Sequence, residues 1–410
     1  MSPLLAAAVT GHTKIVEYLI NREDCHYTQR IDALELLGAT YIDKRRDMMG
    51  GLGFWKDAMI ERDMHKYPKP DNIEKCEAYN NTVEVRTLSG LNELIAEPDK
   101  MRMQALLLRE RILGPAHPDT SYYIRYRGAV YADNGEFDRC IMLWMYALEM
   151  QQRVFEPLST MTQSSFLSFA ELFSFMMIEK GTKKPVDVDF KDMMAVLDRA
   201  IKEVVKAMDA LKSSTQPDRD MPHFNRLVVI VMHLLKLLCH VRSKLTEEQL
   251  EKMMRAAYYL VKLDPRDSQG RSVLHLASSK ETSNVGRHPV CEFPSVDVIQ
   301  LILEVGGNAN SLDSQKNTPL HIAAMNKPCK PEVIDILVDA GAHIDSVNAD
   351  NKTPLSLYPS SLQCKLACPL NFITLQCLAA RAIVKQGVPY KHVLSAKQAN
   401  IIENHQPNLN

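Results

Sequence analysis

The sequence predicts an all-α repeat solenoid, and three observations carry that prediction. A capped helical phrase, Thr318-Pro319-Leu320-His321-Ile322-Ala323-Ala324, returns in altered form elsewhere in the chain. A pairing of glycine with tryptophan occurs twice at nearly the same spacing. The long stretches between these signals carry apolar residues at helical intervals.

The phrase at Thr318 is followed by the apolar run Val333–Ala340 and then by Gly341. Thr353-Pro354-Leu355 repeats its opening 35 residues later, near the ankyrin period of about 33. Ser272-Val273-Leu274-His275-Leu276-Ala277 is the same phrase upstream. Its second helix is read at Val296–Glu304, after an insertion of roughly Ser278 to Pro294. Ser2-Pro3-Leu4-Leu5-Ala6-Ala7-Ala8 with Gly11 opens the chain in the same way. Thr or Ser caps a helix through its side-chain oxygen, and Pro fits the first helical position, where no N–H is needed. Gly closes the second helix in a left-handed turn. A repeat of this kind cannot bury its own apolar face and must stack. His275 and His321 read as structural residues that bond to backbone at the turns.

The middle of the chain carries a second repeat type. Gly38-Ala39-Thr40-Tyr41 recurs as Gly128-Ala129-Val130-Tyr131, and Trp55 with Ala58 recurs as Trp144 with Ala147. The Gly-to-Trp spacing is 17 residues and then 16. Small residues let two helices approach while the aromatic fills the gap, which is the tetratricopeptide pattern; an irregular bundle is the alternative. Ser164–Met177, Phe190–Leu211, Phe224–Val241 and Glu247–Leu263 read as further helices. Lys180–Asp187 and Ser213–Pro222 read as polar loops between them. The expected organisation is 1–30 ankyrin, 31–160 tetratricopeptide-like, 161–265 helical continuation, 266–360 ankyrin, and 361–410 a distinct tail.

Composition narrows the function classes. A net charge of −1 over 410 residues gives no global field for nucleic acid or anionic lipid, and neither is expected as a partner. No signal peptide is expected at Met1-Ser2-Pro3-Leu4. The run Leu227–Cys239 is interrupted by His233 and Lys236 and reads as a buried helix. Nine scattered cysteines suit a reducing compartment, so cytosol, nucleus or both are expected. No cofactor is expected: Gly50-Gly51-Leu52-Gly53 resembles part of a phosphate loop but lies within a helical hairpin. No metal is expected either. Cys364 with Cys368, and His288 with Cys291, lack a second ligand pair at zinc spacing. No nucleophile elbow or triad context is present, so the chain reads as non-enzymatic.

The last forty residues fit neither repeat. Leu375, Ala379 and Ile383 fall at i, i+4 and i+8, with Leu378 and Ala382 on the same face. Such a helix either caps the ankyrin stack or offers its face to a partner. Together with Ile31–Thr40, the run Arg109–Asp133 (RERILGPAHPDTSYYIRYRGAVYAD) and the order of the repeats, it resembles the fem-1 homologue family, nearest its A and C members. That resemblance implies an adaptor, the substrate-recognition subunit of a cullin-2 RING ubiquitin ligase that recruits proteins by C-terminal degrons, arginine-ended in the A and C members. It implies that the tail is a VHL-box-like segment. Leu375, Leu378, Ala379, Ala382 and Ile383 would then bind Elongin B/C, and Leu394, Ile401, Ile402 and His405 would contact cullin-2.

Three departures from the family pattern accompany the likeness. The chain opens on what resembles the last repeat of the family's N-terminal ankyrin block, so the degron pocket is expected to be missing. Ala379 stands where the Elongin-box pattern usually has Cys, with Cys377 two residues after Leu375. Ser395 and Gln398 replace a Pro and an apolar residue in the cullin-contact segment. A scaffold without any ligase association is the competing reading.

Overall fold

A computed structural model describes residues 1–70, 76–177, 187–286, 290–358 and 373–406. His288, Cys364, Cys368 and most of the Lys180–Asp187 loop lie outside the described residues. Among those described there is helix and turn but no β-strand, so the all-α repeat class holds. Two compact units are present, Met1–Glu156 and Pro157–Asn410.

The first unit begins with α1 (Pro3–Thr10) and α2 (Thr13–Ile20). Ser2 caps α1 through Oγ, which accepts from Leu5 N at 3.3 Å, and Pro3 takes the first position. Gly11, at φ +83°, closes the helix. Two hairpins follow, α3 (Tyr27–Thr40) with α4 (Met48–Met64), and α7 (Pro118–Asp133) with α8 (Phe137–Val154); α5 (Leu88–Glu93) and α6 (Pro98–Leu113) lie between them. The recurring Gly and Trp meet across each hairpin. The Trp55 indole N–H donates to the Glu35 carbonyl at 3.0 Å, and the Trp144 indole N–H to the Arg125 carbonyl at 2.8 Å. Each ring fills the space that a glycine leaves in the facing helix. Gly50, Gly51 and Gly53 lie in the first two turns of α4, which Asp47 caps at 2.8 Å.

The segment between the hairpins brings in charge that helical spacing does not reveal. Glu35 is buried and pairs with Arg62 at 3.0 Å through both oxygens, with Lys69 at 3.5 Å and with Arg111. Glu84 joins the same network through Lys69 at 3.2 Å and Arg111 at 2.8 Å. Burial alone would push the Glu35 carboxyl up. Lys69, Arg111 and Arg62 outweigh it and hold the carboxyl down at about 2.

The second unit opens with α9 (Thr160–Met177), α10 (Phe190–Ser213), α11 (Pro217–Val241) and α12 (Glu247–Leu263). These match the helices expected from the sequence, with one correction. Ser213–Pro222 is a loop only as far as Gln216, and Pro222 lies inside α11. Pro217 at the first position and Asp218 and Asp220 in the first turn suit a helix N-terminus, and Pro222 removes only one intrahelical bond near that end. By length and composition Pro217–Lys244 could cross a bilayer. Here Leu227, Val228, Ile230, Val231 and Leu238 are buried, with α11 packed against α9, α10, α13 and α14.

Ankyrin-type pairs complete the unit: α13 (Val273–Ser278) with α14 (Val296–Glu304), α15 (Pro319–Met325) with α16 (Pro331–Asp339), and α17 (Pro354–Leu357). The two phrase histidines make matching bonds. Ser272 N donates to His275 Nδ1 at 3.2 Å, and Thr318 N to His321 Nδ1 at 3.1 Å. Each Nε2–H then reaches the next repeat, at Asn317 O (2.9 Å) and Lys352 O (3.1 Å). The insertion also has a structural partner. His233 of α11 lies 2.8 Å from the Thr282 carbonyl, and Ser174 of α9 donates to Val290 O at 2.9 Å. The inserted residues thus cover buried polar groups of α9 and α11.

Candidate functional site

The tail folds as α18 (Leu375–Gln386) and α19 (Ala396–Glu403), packed on each other. Thr374 caps α18 by accepting from Cys377 N at 3.2 Å, and Gly387 closes it at φ +62°. Helical periodicity then sorts the side chains. Cys377 and Ala380 are buried. Leu375 is 84% exposed and Leu378 39%. Ala379 and Ala382 are exposed and Ile383 is half-buried. Leu375, Ala379 and Ile383 therefore run up one outer face, with two alanines that keep its surface low beside the leucines. Cys377 points inward and does not substitute for a thiol on the Ala379 face.

The departures at Ser395 and Gln398 have a local explanation. Ser395 Oγ accepts from Gln398 N at 3.4 Å, and Gln398 Oε1 accepts from Ser395 N at 3.1 Å, a reciprocal cap that starts α19. Leu394 and Ile401 are half-buried. Ile402 and His405, expected to contact a partner, are 3% and 4% exposed. In the free chain they face into the unit. His405 Nε2 lies 3.2 Å from Asp345 Oδ1, and the Asn404 carbonyl accepts from Val347 N at 3.0 Å. Arg381 of α18 reaches Asp345 Oδ2 at 2.9 Å. Both tail helices are thereby anchored to the loop 343–347 of an ankyrin repeat. Sequence spacing placed residues on helix faces, but gave no signal for which face this loop would cover.

The anchor is electrostatically tuned. Burial pushes the Cys377 thiol up, while His343, His405 and Thr374 around it pull it down to about 6. Burial disfavours the His405 cation, but Asp345 and Cys377 outweigh it and bring the ring to about 10. Burial likewise raises the Asp345 carboxyl, and His405 and Arg381 pull it below its usual value. No metal was expected from the sequence, yet a ring nitrogen of His343, one of His405 and the Cys377 sulfur lie within 4.8 Å of one another.

A cleft of about 440 Å³ lies elsewhere in this unit, lined by Lys236, His240, Cys291 and Asp297 among others. It is poorly suited to nucleophilic chemistry. Burial pushes the Cys291 thiol up to about 12, and Lys236 is engaged with Asp297.

The stacked helix pairs opened by the Ser272 and Thr318 phrases, with their matching histidine bonds, define an all-α ankyrin-repeat protein. The family model for ankyrin repeats, in three copies, matches residues 288–364. The chain is 49% identical to fem-1 homolog A of Danio rerio over 99% of its own length and 65% of that protein's. It is 46% identical to fem-1 homolog C of Xenopus laevis, with the same shares covered, and 46% identical to fem-1 homolog A of Bos taurus over 99% of this chain and 67% of the relative. The chain belongs to the fem-1 homologue family, and it spans about 65% of the length of the first two relatives.

Proposed function

We propose that this protein is a non-catalytic protein-interaction adaptor that joins a cullin-2 RING ubiquitin ligase as its substrate-recognition subunit. The observation that carries the proposal is the apolar row of Leu375, Leu378, Ala379, Ala382 and Ile383. It is left largely outward on a helix that is otherwise fixed in place. An anchor already held in its binding shape avoids the ordering cost of association. Leu375, the most exposed of the row, would enter a pocket on Elongin C, with the alanines allowing close approach. The repeats would supply the surfaces for recruited proteins, which the family resemblance makes proteins with C-terminal degrons. The seven described cysteines are all free, which supports a cytosolic or nuclear setting.

The cullin-2 part of the reading rests on fewer residues than the Elongin part. Of its four contact candidates, Leu394 and Ile401 keep some exposure. The test is co-purification of the chain with Elongin B/C, followed by addition of cullin-2. A stable complex with Elongin B/C supports the adaptor reading. No complex at micromolar concentration favours a scaffold that never meets a ligase. An Elongin complex that does not take up cullin-2 limits the reading to the Elongin step.

A further inference from the structure

We propose that His343, Cys377 and His405 form a binding site for a zinc-type transition metal, which fastens the tail to the ankyrin loop. The three residues come from three places: the loop after α16, the first turn of α18, and the turn just past α19. Their donor atoms nevertheless converge within 4.8 Å. Two imidazole nitrogens and one thiolate form the mixed N/S set that suits Zn²⁺, and three protein ligands leave a fourth position for water.

The surroundings fit ligation. His405 Nδ1–H donates to the Ile401 carbonyl at 2.7 Å, which orients the ring and leaves Nε2 as the ligating nitrogen. His343 Nδ1 is buried with no hydrogen-bond partner, an orphan that a metal bond or a small movement toward one would satisfy. Thr374 Oγ1 lies 3.1 Å from the Cys377 sulfur and can donate to a thiolate. The His343 and His405 rings stand 5.3 Å apart, tilted by 41°, so they already share one small space. On binding, His405 Nε2 would exchange Asp345 for the metal and lose its proton, and Asp345 would keep Arg381 at 2.9 Å. The Cys377 proton is released as the metal–sulfur bond forms.

The consequence is mechanical. Without metal, the tail is held by the Asp345 contacts and by the bond from Val347 N to the Asn404 carbonyl. With metal, one ion links residues separated by up to 62 positions in sequence, so α18, α19 and the loop after α16 would open together.

The test is Co²⁺ titration of the whole metal-stripped chain. The expected result is one tight Co²⁺ with intense visible bands of a tetrahedral centre and a thiolate-to-cobalt charge-transfer band, all displaced by Zn²⁺. Cys377→Ser should abolish the charge-transfer band, and His343→Gln should weaken binding at least tenfold, with unchanged circular dichroism showing that both fold. As a second readout, Zn²⁺ in hundredfold excess over its Kd should raise the melting temperature of the wild-type chain by about 5–10 °C, and should leave that of Cys377→Ser unchanged. Absence of stoichiometric cobalt binding would overturn the site. So would a charge-transfer band that survives in Cys377→Ser, since other thiols would then be the ligands.

Discussion

A Cβ on Gly38 would lie 2.4 Å from Cδ1 of Trp55 and 2.7 Å from the Gly51 carbonyl, so the α3/α4 hairpin closes only around a glycine. Gly128 and Trp144 repeat the relationship at 2.5 Å in α7/α8. Two hairpins distant in sequence thus use one device, an indole laid on a bare backbone. The device works because the indole N–H also finds a carbonyl on the facing helix.

The first prediction follows from that contact. Gly38→Ala and Gly128→Ala should each destabilise the first unit by about 1–3 kcal/mol, because a rigid indole opposes the new methyl group at both sites and, at Gly38, the Gly51 carbonyl oxygen does too. Gly53, also in α4, has open space around it, so Gly53→Ala should be neutral or stabilise by up to about 1 kcal/mol. Urea unfolding of the three variants checks the ordering. Equal effects at Gly38 and Gly53 would mean that helix propensity, not the tryptophan contact, governs these sites.

The second concerns the buried charges around Glu35. Glu35→Gln should cost about 3–5 kcal/mol, since Arg62, Lys69 and Arg111 would lose their shared carboxylate. The folded carboxyl sits at about 2, below its ordinary value of 4.5, so the folded state favours the charged form. The stabilisation, on the order of 3 kcal/mol, is therefore full above pH 4.5 and is lost as pH falls toward 2. Wild type should lose stability across that window with a steeper slope than Glu35→Gln, measured by denaturant midpoints at each pH.

The third concerns the ankyrin histidines. Thr318 N donates to His321 Nδ1, so a proton on that nitrogen would face a donor. Burial, which the bond to the Lys352 carbonyl only partly opposes, lowers the ring to about 4, against 6.5 ordinarily. The unfolded state takes up the proton first as pH falls, so stability is full above pH 6.5 and declines toward pH 4. His233, also held at about 4 by burial, should add to the decline. Thermal melts from pH 7 to 4.5 should show this slope, reduced in His321→Gln. The same slope in the variant would assign the acid sensitivity to other groups.

The fourth separates the two sides of the tail. Leu375→Ala should cut Elongin B/C binding by well over tenfold, as loss of a buried anchor of roughly 2–4 kcal/mol would. It should leave the melting temperature nearly unchanged, because the side chain is exposed in the free protein. Ile402→Ala should do the reverse, destabilising the second unit by about 2–5 kcal/mol through a cavity. Calorimetric melts and an equilibrium binding assay on both variants test the pair. A Leu375→Ala variant that melts early and still binds Elongin would make α18 a capping helix.

Much of this protein was legible from local chemistry. Ser2, Thr318 and Thr353 announce helix starts because a cap and its target lie within three residues. Gly11 and Gly341 announce helix ends because the left-handed turn is a single-residue property. The recurrence, in altered form, of the capped phrase at Thr318 determines stacked repeats, since one such unit cannot bury its own face. Even Leu375, Ala379 and Ile383 were assignable to one face from spacing alone. Tertiary structure decided the rest. Lys69 meets Glu35 and links it to Glu84 through a segment with no helical period, and Pro222 is carried inside α11, whose apolar face is buried downstream. Ile402 and His405 turn inward, and His343 meets Cys377, because the tail docks on one particular loop. Spacing along a helix fixes direction only about its own axis. Which partner that direction finds depends on how separate elements pack, and those distances are not written in any local stretch of sequence.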